Sequence, residues 1–589
     1  QNASSGLAIM DYGSANAVIQ DNVFYGDASD NSGMRDQNIG AYIKGQDPTV
    51  LRNQAYHING WREDGLYLED VGWNPIVRDN VAWANSATSI YVRAAAYEVS
   101  GNVARDASNG FLLEDNNVAQ DGNAHDNVAY GISGNAFEVH GYGQVFHNQA
   151  YDSTTGFALA GASGTVHDNT AWANSNGFWA NSGTVANNRA YGNTTGITMT
   201  NGWVTVTGNR VYDNSQTGIW ADPYSGNNYI TNNLVYDNSG RGIQLNGVQR
   251  GGYTMTVSNN TVMELGSNAI EVLSNSQNVV LRNNILWSGG TGHYTLVVAD
   301  AAQQGFSSDY NDFYTTDGAR LGQWQNAFGT LADWRYELGF DTHSIYADPM
   351  FVSPAGADGI RGWGSGEGLK FEYFGTQDFT GTPVTTLYDR VIAYGATWGS
   401  FRGLPGPGDN QSFRWTGEIY LAQAGTYTFD AATLTSQRLT INGTVVIDDF
   451  TNPSRGEKFG TYVAASAGWV TLKFEVADTG GPVEAYLAWS TPDNSTFRWI
   501  REYEPVGAGA AGIGAEHSVL RYNAGGVSTG LDDDFHLSSA AGSYHGGNWL
   551  ADPGTSPAID GGDLASAFAL EAAANGSRVN LGFEGNTPE

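Results

Sequence analysis

The 589-residue sequence predicts an all-β fold, a right-handed parallel β-helix solenoid interrupted by an inserted β-sandwich. Three observations carry this expectation. The first is composition: 78 Gly and 12% aromatic residues accompany only 15% charged residues, a balance of turn and strand formers unlike that of a helical protein. The second is a recurring phrase, read as RDNVAWANSATSIYV (78–92), HDNVAYGISGNAFEV (125–139), HDNTAWANSNGFWA (167–180) and NNLVYDNSGRGIQL (232–245). The third is spacing: the turn residues Asn80, Asn102, Asn127, Asn148, Asn169, Asn188, Asn209, Asn233, Asn260 and Asn284 fall 19 to 27 residues apart. A period that short, with brief strands and Asn/Gly corners that tolerate left-handed backbone, fits one coil of a β-solenoid. Stacked asparagines can also bond from coil to coil.

One strand can be registered in every coil, because side chains alternate faces with period two. Its inward residues are apolar throughout. They run Leu66/Leu68, Ile90/Val92, Phe111/Leu113, Phe137/Val139, Phe157/Leu159, Phe178/Ala180, Ile197/Met199, Ile219/Ala221, Ile243/Leu245 and Ile270/Val272, a core that no single coil buries alone. Leu7/Ile9 and Ala41/Ile43 continue it toward the start. The first strand follows Gln1 so closely that no amphipathic cap is expected before it, which suits a cover from a preceding module or end-to-end assembly of subunits into a filament.

The remaining composition narrows function. Lys and Arg number 27 against 60 Asp and Glu, a formal charge of -33, so a phosphate backbone is repelled and nucleic acid is excluded as a partner. The acidic surface suits either solubility or hard cations such as Ca2+, which is left open, with no metal site assigned. Without cysteine there is neither a disulfide nor a thiolate site, and no apolar run is long enough to span a bilayer. Secretion to the extracellular space or a bacterial cell surface fits these features.

Near 345 the text changes to IYADPMFVSPAGADGIRG, and later reads DDDFHLSSAAGSYHGGNWLADPGTSPAIDGGD (532–563). The DP-x-F, DFHL and SPAIDGGD words resemble the closing coils of pectin-lyase-like β-helices in bacterial surface proteins and polysaccharide-active enzymes. In that family these words follow closely, whereas here about 180 residues separate Phe351 from Phe535. The intervening GLKFEYFGTQDFTG (368–381), FRWTGEIYLAQAGTYTFDAATLTSQRLTINGTVVIDDF (413–450) and EAYLAWSTPD (484–493) alternate as strands with regular turns, and resemble a PA14 domain. The expected organisation is β-helix over 1–365, PA14-like sandwich over 366–505 and closing coils over 506–589. The resemblance implies carbohydrate contact. It does not transfer the calcium-holding aspartate pair of some PA14 modules, because that position reads Thr435-Ser436, and Asp448 and Asp449 come after the strand.

The outward positions of the registered strand form two columns. One reads Tyr42, Tyr67, Tyr91, Leu112, Glu138, Ala158, Trp179, Thr198, Trp220, Gln244 and Glu271; the other begins Lys44, Glu69, Arg93, Glu114, His140. With strands about 4.8 Å apart, the second column predicts an alternating charge ladder. Two readings stand. In one, cross-rung ion pairs hold register. In the other, the strand face binds a polysaccharide or cell-surface glycan: Glu114 and Glu138 serve as acid and base, Arg93 neutralises a uronate, and His140 moves a proton. Tyr67, Tyr91, Trp179 and Trp220, with Glu69, would then contact the sugar rings. The expected role is structural or adhesive carbohydrate contact, with a lyase, hydrolase or epimerase as the alternative.

Overall fold

The structure, a computed structural model, describes residues 7–587 except 26–38, 59–63, 70–73, 116–121, 162–163, 224, 248–251, 274–275, 357–360, 363–368, 390–391, 398–409, 451–455, 479–482, 493, 501–519, 522–532, 546–547 and 572–577. It divides into two compact units, 1–355 with 533–589, and 356–532.

The first unit is a parallel β-helix. Each coil contributes one strand to a 15-stranded sheet and one to each of two 13-stranded sheets, called here the first, second and third sheets in the order the chain visits them. The expected register is met rung by rung in the first sheet: Tyr67 pairs with Tyr91, Tyr91 with Leu112, Leu112 with Glu138, and the series continues through Trp179, Thr198, Trp220 and Gln244 to Glu271. The inward residues from Leu66 to Val272 named above are buried, and Phe111, Phe137, Phe157 and Phe178 stack at centroid spacings of 4.7, 4.8 and 5.0 Å.

The interior is filled by compensation between sheets. Coils that place Phe111, Phe137, Phe157 or Phe178 inside the first sheet place Ala129, Ala150, Ala171 or Ala190 inside the third, whereas Ile197, Ile219 and Ile243 are answered by Val211, Val235 and Val262. Large against small keeps the cross-section filled at interior density.

The corner between second and third sheets carries the asparagine ladder, which extends beyond the expected members to Asn22, Asn53 and Asn311. Asn169 illustrates the pattern. Its Oδ1 accepts from the backbone N and the Nδ2 of Asn148 (2.9 and 3.0 Å), and its Nδ2 donates to the carbonyls of Val145 and His167 and to Asn188 Oδ1 (2.8, 2.8 and 3.1 Å). The residue before each rung takes left-handed backbone, as at Asp126, Asp168, Asn187 and Asn232, which explains the Asp/Asn-Asn spelling of the repeat. A second ladder, not anticipated from sequence, lines the corner between third and first sheets. It runs Asn174, Asn193, Asn214, Asn238 and ends on Glu264, whose two carboxyl oxygens accept from the Asn238 backbone N and Nδ2 at 2.8 and 2.9 Å.

Beyond the last coils, strand Asn326–Phe328 folds back antiparallel on Arg320–Trp324, and the single α-helix among the described residues, Leu331–Leu338, closes the core. Thr330 caps its N-terminus and Gly339 ends it at φ 74°. Trp334 is fully buried against Trp324 and Phe328, its Nε1 donating to Asp341 Oδ2 at 2.9 Å.

Of residues 506–589, expected as closing coils, 533–589 join none of the three parallel sheets among the described residues, and strand Leu520–Arg521 pairs instead with Gln411–Leu421 of the second unit. Strand Asp534–Leu537 pairs antiparallel with Phe351–Ser353, so the chain leaves and re-enters this unit at one place. The segment then lies along the outside of the solenoid. Tyr236 Oη donates to Asp533 Oδ2 (2.8 Å), Arg282 pairs with Asp563 (2.6 Å), and Ile285, Leu537, Ala558 and Leu581 form a small separate core. On the outer face of the third sheet Tyr191, Tyr212 and Tyr236 stack and are buried, with Phe535 of this segment against Tyr236 at 4.7 Å.

The second unit is a sandwich of a 7-stranded and a 5-stranded antiparallel sheet. Its core is built on Phe371, Phe413, Trp415, Phe429, Phe474 and Trp489, and Trp415 Nε1 donates to Asp389 Oδ2 at 2.7 Å.

Two outcomes test these assignments. Asn169→Ala removes both halves of a buried rung and is expected to destabilise the solenoid by about 2–4 kcal/mol in urea unfolding followed by circular dichroism. Burial pushes the Glu264 carboxyl well above its usual range against three opposing hydrogen bonds from Asn238 and Ser267. A raised folded pKa means that the protonated acid favours the folded state; its contribution is complete below the ordinary glutamate range and is lost as pH rises through the raised value. Glu264→Gln should therefore flatten the decline in stability toward alkaline pH, while matching the parent protein at pH 4.

Candidate functional site

The outward face of the first sheet gathers most of the residues singled out from sequence. Tyr42, Tyr67 and Tyr91 stack on successive strands at centroid spacings of 5.5 and 4.6 Å. Their hydroxyls reach the neighbouring column: Tyr42 Oη donates to Glu69 Oε2 at 3.3 Å and Tyr91 Oη to Glu114 Oε2 at 2.7 Å. Arg93 lies between Glu69 (3.7 Å) and Glu114 (3.6 Å) with its side chain 42% exposed, so these pairs add little stability and leave the guanidinium in reach of solvent.

Glu114 registers against His140, and Leu112 against Glu138, which makes the two glutamates diagonal neighbours. Their environments differ. His140 Nε2 lies 2.9 Å from Glu138 Oε1, and Asn135 Nδ2 donates to Glu138 Oε2 at 3.0 Å. The bond to His140 holds the Glu138 carboxyl below its usual range, and the same bond lifts the imidazole. Glu138 is thus an ionised acceptor at neutral pH, unsuited to donate a proton as a general acid. Burial, with the Glu114 carboxylate second, holds the Tyr91 phenol well above its usual range, so it stays a neutral donor.

Trp179 and Trp220 lie farther along the same column, separated from the charged group by Ala158 and from each other by Thr198. Both indoles are partly exposed while Thr198 is buried between them. Two rungs set them about 9.6 Å apart along the sheet. The column ends in a polar knot that sequence reading did not assemble: Glu271 accepts from Arg241 Nε (2.5 Å), Asn268 Nδ2 (2.6 Å) and Gln244 Nε2 (3.1 Å).

Beside Trp179, at the corner between first and second sheets, a cleft of about 550 Å³ is lined by Asn181, Ser182, Thr184, Asn201, Trp203 and Thr205. Trp203 was not among the expected residues because it sits in a turn, outside the registered strand. Its only sequence signal is a large aromatic after Asn-Gly, where turn chemistry favours small residues.

The acidic words resolve into internal bonds. Asp533 takes the Tyr236 hydroxyl, Asp534 Oδ1 lies 2.6 Å from His536 Nδ1, Asp448 pairs with Arg438 at 3.1 Å, and Asp449 accepts from the Gln437 backbone N at 2.5 Å. Asp532 lies outside the described residues. Among the described residues no three His, Asp or Glu side chains converge as a metal site.

Residues 2–155, 126–235 and 155–304 match the family described as right handed beta helix region, and residues 365–500 match the PA14 domain. The anti-sigma-I factor RsgI3 of Acetivibrio thermocellus is 29% identical over 131 residues, which is 22% of this chain and 20% of that protein. The chain therefore spans about a fifth of the length of that curated relative. Among solved structures, a PA14 sugar-binding domain from an RTX adhesin is 16% identical over 27% of this chain and 100% of its own, with a TM-score of 0.20. A tailspike protein of E. coli bacteriophage HK620 in complex with pentasaccharide is 12% identical over 79% of this chain and 86% of its own, with a TM-score of 0.33.

The coupling on the strand face is testable by titration. Glu138→Gln removes the carboxylate that lifts the imidazole, and the His140 midpoint followed by NMR should fall relative to the parent protein. An unchanged midpoint would refute the pairing.

Proposed function

Because the chain belongs to the right-handed β-helix family, we propose that it is an extracellular or cell-surface protein whose first sheet is a glycan-contact face, serving attachment and not bond cleavage. The pairing of a β-helix with a PA14 domain suggests carbohydrate interaction. The observation that carries the reading to particular residues is the outward file itself. The two partly exposed indoles at one end offer flat apolar faces, the tyrosines at the other stack on one another with Tyr91 buried, and the intervening Arg93, Glu114, Glu138 and His140 supply donors and acceptors. Hydrogen-bonded side chains held on strands are preorganised for a ligand that repeats along one direction.

The catalytic alternative needs a protonated acid opposite a base. Glu138 is held ionised by His140, and Glu114 is engaged by both Tyr91 and Arg93, an arrangement suited to binding.

The test is a panel of neutral and acidic polysaccharides, with and without calcium, scored for binding and for new reducing ends, unsaturated uronates or altered configuration. Binding without chemical change is expected. Trp179→Ala and Trp220→Ala should each weaken binding about tenfold, the loss of one well-placed aromatic contact, with unchanged melting temperature. Turnover that disappears in Glu114→Gln or Glu138→Gln would replace this reading with the enzymatic one.

A further inference from the structure

We propose that the corner cleft beside Trp179 is a subsite for an uncharged pyranose unit, stacked on Trp203. The proposal rests on the glycan-contact reading and extends it from the flat strand face to a site that selects neutral sugar over uronate.

Trp203 is 63% exposed, and its backbone takes φ 66°. That left-handed conformation is ordinary for Gly, Asn or Asp but costly for a bulky residue. Backbone preference does not favour a tryptophan here, and the indole stays mostly exposed despite its contacts with Tyr253 and Gly226, which points to a contact outside the chain. The ring is also positioned. Tyr253 meets it edge-on at 5.9 Å, and a Cβ added to Gly226 would come within 3.0 Å of the indole, so glycine alone leaves its seat open. The Trp203 carbonyl is tied to the neighbouring coil by the Gly183 N–H at 3.2 Å.

Around this ring stand amides and hydroxyls. Asn181 Oδ1 accepts from Gly161 N at 2.6 Å and from Ser182 Oγ at 3.2 Å, bonds that engage its oxygen and not its Nδ2. Thr184 and Thr205 are register partners on adjacent strands, placing two hydroxyls about 4.8 Å apart, and Asn201 adds a second amide. Among the described residues, none of the lining side chains carries a charge. A uronate carboxylate would enter without a cation to offset its desolvation, whereas sugar hydroxyls match donors and acceptors of this kind. A volume of about 550 Å³ lies in the range of small-ligand sites. Asn181 follows Trp179 by two residues, so a chain lying on the strand face can place one unit or branch in the cleft.

Calorimetric titration of the full chain with cello-, manno- and malto-oligosaccharides, and with oligogalacturonate as the charged counterpart, tests the assignment. A neutral oligomer should bind, and Trp203→Ala should weaken it about tenfold or more without lowering the melting temperature. Trp203→Asn should lose binding equally and melt higher, since asparagine accepts the left-handed backbone. A structural role for the indole would instead lower the melting temperature in both variants. Unchanged affinity of the neutral oligomer in Trp203→Ala, together with loss in Trp220→Ala, would overturn the corner subsite and leave the strand-face reading standing. Preference for oligogalacturonate would do the same. Loss in Trp203→Ala with none in Trp179→Ala or Trp220→Ala would keep the cleft and overturn the strand face, and failure of every oligomer to bind would overturn both.

Discussion

Each rung of the asparagine ladder accepts two hydrogen bonds from the coil before it and donates to the coil after it, inside a corner from which water is excluded. A coil displaced by one residue would leave an amide and several carbonyls buried without partners, at a cost of about 1–3 kcal/mol for each group. The ladder from Asn22 to Asn311 therefore fixes the register of all three sheets at once. The strand-to-strand spacing, the vertical alignment of the phenylalanine stack and the straightness of the outward columns all follow from it.

The surface inherits that regularity. Because register is held in the interior, outward residues are free of the task of specifying it and can differ from coil to coil. The first sheet uses this freedom to place tyrosines, an Arg–Glu–His group and two tryptophans along one line. The third sheet uses it differently, stacking rings that the segment 533–589 partly covers through Phe535 and Asp533. The same architecture thus yields one face turned to solvent and one turned to the chain itself. Electrostatics refine the solvent face: the bond between His140 and Glu138 lifts the imidazole and holds the carboxyl below its usual range, so the two diagonal glutamates sit in different environments.

Legibility followed periodicity. The columns from Tyr42 to Glu271 could be read in full because a period of two along each strand and a marked asparagine in each coil leave one alignment that buries Phe111, Phe137, Phe157 and Phe178 together. What broke the period was not legible. The second ladder mixes asparagines with Ser153, whose backbone N donates to Asn174, and with Glu264, and loses its identity in sequence. Trp203 lies in a corner whose conformation no alternation rule reaches. The closing words carry a family resemblance, yet their place outside the coils depends on the outward rings of the third sheet, which become a surface only once the coils stack.

By itself, the sequence determined the β-helix, its inward and outward faces and the presence of a second β-sheet unit, since each follows from local alternation and from a repeat too short for a helical repeat or a propeller blade. Tertiary structure alone decided which outward groups touch, which carboxylates keep their protons and where a turn residue meets the strand face. Most of those contacts join side chains one rung apart in space but distant in sequence, as Tyr91 and Glu114 are at 23 residues and Arg241 and Glu271 at 30, while Glu138 and His140 lie two residues apart on one strand. Hydrogen bonding and desolvation act across that 4.8 Å step, where sequence separation carries no information about either.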